Sequence, residues 1–391
     1  MLTISLVLLV EHTTGSYAQA GAAAAVTGVA MALCAPRAGR LADRHGQRAV
    51  LVPGVALHAL SVCALVVLAL AHAPAWALLA TAVPAGATVP QIGPMVRSRW
   101  AVALSDPAGG GTPLMQTAAA FESVTDEFTF VVGPILATAL CTGLHPAAGL
   151  IAEAALTLAG GWLFAAQHGT LPPPHGTDEG GGRHRASALS APGLRALVAA
   201  FVGIGAVFGG MQVSVTAVTQ EAGHPGLSGL VYGTFAAGNM LAGVAYGALP
   251  WRHSPRRRLL TAYGALTLAC VPLWAADALP LVGGLVLVVG LCIAPALITG
   301  YTLVEALVPA SARTEAFTWL TGGVALGQAA AVTAAGLLAD GVGAHAAFFV
   351  PLTGTAAAFA MIAMLREHLL PQSSPVPGVG VIGHRQAVMV D

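Results

Sequence analysis

Apolar stretches long enough to cross a bilayer recur along this chain, separated by short polar punctuation. They run at about Ser16–Pro36, Ala49–Ala71, Ala75–Val96, Pro113–Thr142, Pro146–Gln167, Pro192–Gln220, Leu227–Trp251, Arg258–Ala276, Leu279–Leu307, Thr314–Ala339 and Ala344–Leu365. Each approaches or exceeds the roughly 20 residues that an α-helix needs to cross about 30 Å of hydrocarbon. Met1–Val10 is equally apolar but ends at Glu11-His12, and at that length a helix rises only about 15 Å. The stub is expected to be a first helix truncated by a start codon placed too late. The competing reading is a secretory signal peptide: Ala18-Gln19-Ala20 has the form of a cleavage site, but the basic leading region is missing. With the stub counted, the pattern predicts an all-α membrane protein of twelve transmembrane helices.

Composition points the same way. The chain is 56% hydrophobic and 8% charged, against roughly 25% charged in soluble domains. All sixteen basic residues are arginines. With the stretch around Asp43 placed in the cytoplasm, Arg37, Arg40, Arg44, Arg48, Arg97, Arg99, Arg183, Arg185, Arg195, Arg252, Arg256, Arg257, Arg258, Arg313, Arg366 and Arg385 all fall on that side. The opposite loops carry Glu11, His72, His145, Glu221, His224, Asp277, Asp340 and His345, and no arginine. One helix more or fewer would flip everything downstream, so this segregation supports both count and orientation, with both termini inside. Cys34, Cys63, Cys141, Cys270 and Cys292 lie in apolar segments without metal-ligand spacing. They read as small hydrophobes.

The longest hydrophilic insertion, residues 169–191, contains Pro172-Pro173-Pro174 and Gly180-Gly181-Gly182 near the chain midpoint. Such composition predicts a flexible cytoplasmic linker between a six-helix half at residues 1–168 and another at 192–366, with 367–391 a disordered cytoplasmic tail. Repeated six-helix halves are a common transporter plan. Ala120-Phe121-x-x-x-Thr125 in the fifth span echoes Ala316-Phe317-x-x-x-Thr321 in the eleventh.

Between the second and third spans lies Gly39-Arg40-Leu41-Ala42-Asp43-Arg44-His45-Gly46-Gln47-Arg48. It reads as a tight cytoplasmic loop, its glycines suited to close approach and positive φ, with Asp43 among cations. The stretch resembles the signature loop of the major facilitator superfamily, G-x-L-A-D-R-x-G-R-K-x-x-L. Gly39, Asp43, Arg44, Gly46 and Arg48 match it, whereas Gln47 replaces the first basic residue of the pair and Arg48 the lysine. The resemblance implies a two-half transporter in which Asp43 and Arg44 latch the cytoplasmic ends together. It sets Asp43 against the start of helix 11, near Thr314-Glu315, where a carboxylate is favoured, with Arg313 as a possible charged partner. Gly133-Pro134 in the fifth span resembles the centre of the G-x-x-x-G-P-x-x-G-G motif of proton-coupled drug exporters in that superfamily, without its flanking glycines. A packing kink is an equal alternative. The mid-membrane arginine expected in helix 4 of many proton antiporters is missing; Arg97 and Arg99 come only at the inner end of that span.

Glu122, Asp126 and Glu127 lie near the middle of the fifth span, where charge is costly enough to demand a cavity or a partner. Residues 122 and 126 share a face, and 127 is rotated by about 100° from 126. Paired carboxylates in low dielectric raise each other's proton affinity, as a proton-coupling site requires, and Asp126 is the leading candidate. The alternative is permanent pairing with Arg97 or Arg99. Gln116, Gln212, Asn239 and Gln328 are candidate substrate contacts or interhelical hydrogen-bonders. His58 and Glu153 are intramembrane too, but rank second because the resemblance makes their helices peripheral. Neither a phosphate-cradling G-x-x-x-x-G-K-[ST] loop nor H-E-x-x-H nor G-x-S-x-G occurs, which argues against ATP hydrolysis and against an enzyme. The expected function is secondary active transport across an inner or plasma membrane by alternating access, driven by a proton gradient, with no cofactor and no metal. Efflux ranks ahead of uptake of a sugar or metabolite, and ahead of a non-transporting sensor or scaffold. The expected partners are a small-molecule substrate and the lipid bilayer, with no nucleic acid, and the expected state is a monomer.

Overall fold

A computed structural model describes residues 1–104, 113–172, 187–249, 251 and 253–365. Among these residues there is no strand. Thirteen α-helices are present: α1 (Leu2–Thr14), α2 (Tyr17–His45), α3 (Gln47–Leu70), α4 (Ala75–Ala87), α5 (Ile92–Ala103), α6 (Pro113–Gly143), α7 (Ala148–Ala166), α8 (Pro192–Glu221), α9 (Ser228–Ala248), α10 (Pro255–Cys270), α11 (Leu279–Leu307), α12 (Arg313–Gly341) and α13 (Phe349–Met364). Nine segments of the described residues are long and apolar enough to cross a membrane, and one of them, Ala75–Ala103, takes in both α4 and α5. The linker core, the C-terminal tail and Arg183, Arg185, Arg252, Arg366 and Arg385 lie outside the described residues.

Two expectations need correction. The stretch from Gly39 to Leu51 is not a loop: α2 continues through Arg37, Arg40, Asp43 and Arg44 to His45, and α3 begins at Gln47. Only Gly46 interrupts the helices, at φ 90°, in a region open to glycine because it lacks a Cβ. The fourth span, in turn, extends past Val96 and is broken. Helix α4 stops at Ala87 and α5 starts at Ile92. Pro90 has no N–H to give and disfavours helical backbone at Val89, so the break falls where the sequence requires it.

Lipid offers no hydrophobic drive for helix to meet helix, so close fit decides the packing. At the crossing of α8 and α12 a Cβ on Gly327 would strike the Val202 carbonyl, and one on Gly205 the Val324 carbonyl. Helix α8 is the spine of one apolar core, with Phe201, Ile204 and Met211 against Phe235, Tyr263 and Leu297. The Tyr263 hydroxyl is satisfied there by the Ala200 carbonyl at 2.7 Å. A separate core joins Leu6, Leu9, Val62, Leu65, Leu78 and Leu150 from α1, α3, α4 and α7. The two groups of helices meet where α2 and α5 touch α12 and where α6 touches α9 and α11. Large apolar side chains such as Leu60, Val67, Trp162 and Leu163 face outward, as a lipid-embedded surface requires.

Candidate functional site

Helix α12 begins at Arg313 after Ala312, whose side chain cannot cap it. The first N–H groups of a helix need acceptors from elsewhere. Asp43 supplies them from the end of α2: its Oδ1 accepts from the Thr314 N–H at 3.2 Å and its Oδ2 from the Glu315 N–H at 2.9 Å. A carboxylate at the positive end of a helix gains from the dipole as well. The helices can approach because residue 39 is glycine; a Cβ there would sit 2.8 Å from the Thr318 Oγ1 and 3.1 Å from the Glu315 Cα.

Beside this cap Arg40 grips Glu315 with two donors, Nε at 3.1 Å and Nη2 at 2.8 Å. Arg44, expected to be the latching arginine, is exposed. The helical path of α2 explains the exchange: residue 40 lies about one turn before Asp43 and so shares its face, whereas residue 44 is rotated by about 100° from Asp43. Arg313 does not serve Asp43 either, since backbone N–H groups take that place and its charge acts on Glu305.

Gln47 is buried at 2% exposure. Its amide nitrogen donates to the Met95 carbonyl at 3.1 Å and to the Ser98 Oγ at 2.6 Å, while its oxygen accepts from the Arg99 Nε at 2.8 Å. Ser98 receives the Thr314 hydroxyl at 3.1 Å, which links this network to the start of α12. Arg99 lies over the Phe164 ring and donates to the Gln167 carbonyl and the Thr170 hydroxyl, and Arg48 meets His168. From shortly before α8, the Ser187 hydroxyl donates to Glu315 at 2.6 Å. Both described ends of the segment between α7 and α8 thus connect to the residues around the start of α12.

One step deeper, Arg97 points from α5 to Asp126 on α6 and forms an ion pair with it. The Arg97 side chain is 6% exposed and that of Asp126 is 48% exposed. The guanidinium also lies 4.2 Å from the centre of the Tyr301 ring on α11, an attraction of charge to the ring face. Glu122, buried at 7% exposure, accepts from the Trp100 indole at 3.2 Å and adds a second negative charge acting on Arg97. Met115 and Phe317 close the small cleft. A buried guanidinium is tolerated only when paired. Here the Arg97–Asp126 pairing expected as the alternative for Asp126 is present within one group of helices, and the Tyr301 contact reaches the other.

The remaining candidates do not converge on this cleft. Gln212 is exposed, Gln328 half-buried and Asn239 buried. The side chains of Gln116, Glu127 and Pro134 lie outside the described residues. Helix α6 runs through Gly133-Pro134 uninterrupted, with Gly133 against Met1, directly before α1. The echo between spans does not extend to packing: Phe121 is 61% exposed and Phe317 is 1% exposed. All five cysteines are free; Cys141 and Cys270 are buried and Cys63 is exposed.

Comparison with known proteins follows the fold. No curated protein sequence matches the chain. Among solved structures it is similar to the human organic anion transporter MFSD10 (TETRAN), at TM-score 0.66 and 18% identity over 92% of this chain and 97% of that one. It is also similar to a bacterial homologue of the iron transporter ferroportin in an outward-facing state, at TM-score 0.68 and 15% identity over 94% and 98%. A third is the proton:xylose symporter XylE, at TM-score 0.64 and 12% identity over 94% and 93%. At these identities the likeness is one of fold. The sequence profile of the Major Facilitator Superfamily matches residues 1–294 and 225–385, and the chain therefore belongs to that superfamily of multi-pass membrane transporters, which are not enzymes.

Proposed function

We propose that this protein is a proton-coupled exporter of a small molecule in the inner or plasma membrane, built of twelve spans in two six-helix halves that rock about a central site. The count takes α4 and α5 as one span because they share one apolar segment and reads each of the other eleven helices as a span of its own; the halves are supported by the separate cores around α8 and around α1, α3, α4 and α7. In this reading the latch closes the cytoplasmic side, and both termini lie inside.

The observation that carries the coupling is the Arg97–Asp126 ion pair. A proton on Asp126 removes the charge that holds Arg97, so guanidinium and proton compete for one carboxylate. Freed, Arg97 is left to Glu122 and the Tyr301 ring, and the contact between α5/α6 and α11 changes with the proton. Half-exposure leaves Asp126 open to such exchange, while Glu122 stays beside Arg97, held by the Trp100 indole. The test uses everted membrane vesicles and a panel of fluorescent amphipathic compounds, one cationic, one neutral and one anionic. Uptake of a panel member should depend on the proton gradient and be abolished by Asp126→Asn, with the protein still folded. Gradient-dependent uptake that survives Asp126→Asn would refute the role of this pair.

A further inference from the structure

His58 and Glu153 take no part in the latch or in the Arg97 cleft, yet they form a second ionisable pair inside the helices. His58 on α3 is fully buried, and its Nε2 lies 3.1 Å from the Glu153 Oε1 on α7. Its Nδ1 lies 3.0 Å from the Ala85 carbonyl and 3.4 Å from the Thr88 Oγ1. The Thr88 hydroxyl already donates to the Pro84 carbonyl at 2.6 Å. Both neighbours of Nδ1 therefore accept, and Nδ1 must carry a hydrogen. That leaves Nε2 facing a carboxyl oxygen, which also receives the Thr157 hydroxyl at 3.1 Å.

Such a contact holds only with a proton between the two atoms, on Nε2 beside a carboxylate or on Oε1 beside a neutral ring. Without it, two lone pairs face each other at hydrogen-bond distance. We infer that His58 and Glu153 form a proton-binding site, distinct from Asp126, that clamps α3 to α7 and the end of α4 while the proton is present and loosens when it leaves. The event is one proton passing from between Nε2 and Oε1 to water, with no change of oxidation state.

The place of the pair gives it leverage. Ala85 and Thr88 stand at the end of α4, where last-turn carbonyls lack helical partners. His58 supplies the missing donor there, directly before the break at residues 88–91. Beyond the break, α5 carries Arg97, Ser98 and Arg99 to the cleft and the latch. Among charged groups near the neighbouring elements, the amino group of Met1, directly before α1, acts on Glu153. To the pair α4 offers the neutral Ala85 and Thr88, and α7 adds Thr157. On α6, Glu122 and Asp126 are engaged by Trp100 and Arg97.

The test is amide hydrogen exchange of the full chain in lipid nanodiscs from about pH 5 to about pH 10, corrected for intrinsic exchange. Protection of residues 84–91 and 148–157 should fall at least about tenfold as pH rises, with residues 203–211 of α8 as the unaffected reference. Glu153→Gln, with its amide nitrogen in the place of Oε1, donates one hydrogen to Nε2 and the other to the Thr157 oxygen, so the contact needs no titrating proton and the profile should flatten. Asp126→Asn should leave it as in the wild type, which separates this site from the coupling pair. A flat wild-type profile, or a Glu153→Gln profile that follows the wild type, would overturn the inference.

Discussion

In the proposed cycle, removing the Asp43 carboxylate should open the side of the bundle where α2 meets α12, by an amount the geometry sets. Asp43→Ala deletes both acceptors of the α12 N-terminus, at 3.2 and 2.9 Å. A lost N-cap costs about 0.5–2 kcal/mol, and the lost charge at the helix dipole about 0.3–1 kcal/mol. The sum is about 1–3 kcal/mol, or roughly a 5–150-fold rise in the open-to-closed ratio. Arg40→Ala should do less: its side chain is 58% exposed, and screened pairs contribute about 0–1 kcal/mol. Glu315 would also keep its bonds from Ser187 and Trp319. Asp43→Asn, with one acceptor and no charge, should fall between. The assay is the maleimide labelling rate of Thr318→Cys, buried beneath Gly39, in a background without other cysteines. The expected order of rates is Asp43→Ala, Asp43→Asn, Arg40→Ala, then the parent. Labelling unchanged in Asp43→Ala, or fastest in Arg40→Ala, would refute the assignment of the cap as the main closing contact.

Two further outcomes follow from the same contacts. Gly39→Val should hold α2 off Thr318 and Glu315, so transport should stop and Thr318→Cys should label at an open-state rate, while the thermal midpoint stays near wild type because each group of helices has its own core. Gln47→Leu should cost about 1–3 kcal/mol by leaving the Arg99 Nε and the Met95 carbonyl without this partner, which a lowered thermal midpoint in nanodiscs would register.

The all-helical, multi-pass character was legible in the sequence because lipid imposes long apolar runs, nine of which are long enough to span among the described residues, and Asp43 was legible because its neighbours form a recognisable motif. Its loop was not. Charge in Gly39–Arg48 marks the edge of the membrane rather than the end of a helix, and Arg40, Leu41 and Ala42 are good helix formers that carry α2 onward. That continuation puts Arg40, not Arg44, on the face of Asp43. Glu315, in the first turn of the eleventh span, was the available signal for Arg40; nothing local announced the partners of Gln47, which come from α5. Arg97 looked like an inner-end charge, but its long side chain reaches back to Asp126, which lies 29 positions away in sequence. The recurrence of Ala-Phe-x-x-x-Thr did not reveal that Phe121 faces outward and Phe317 inward, because identical spacing does not fix which face meets the core.

The central claim, that two bundles rock against each other, is tested most directly by spin-label distances at both ends of the protein in nanodiscs, with labels at Arg44 and Ala310 on one side and at His12 and Asp340 on the other. All four positions are exposed. Two populations are predicted for each pair, with the first distance lengthening as the second shortens, and Asp43→Ala should enrich the form in which the Arg44–Ala310 distance is long. A single population at both ends, or distances that lengthen together, would contradict the account.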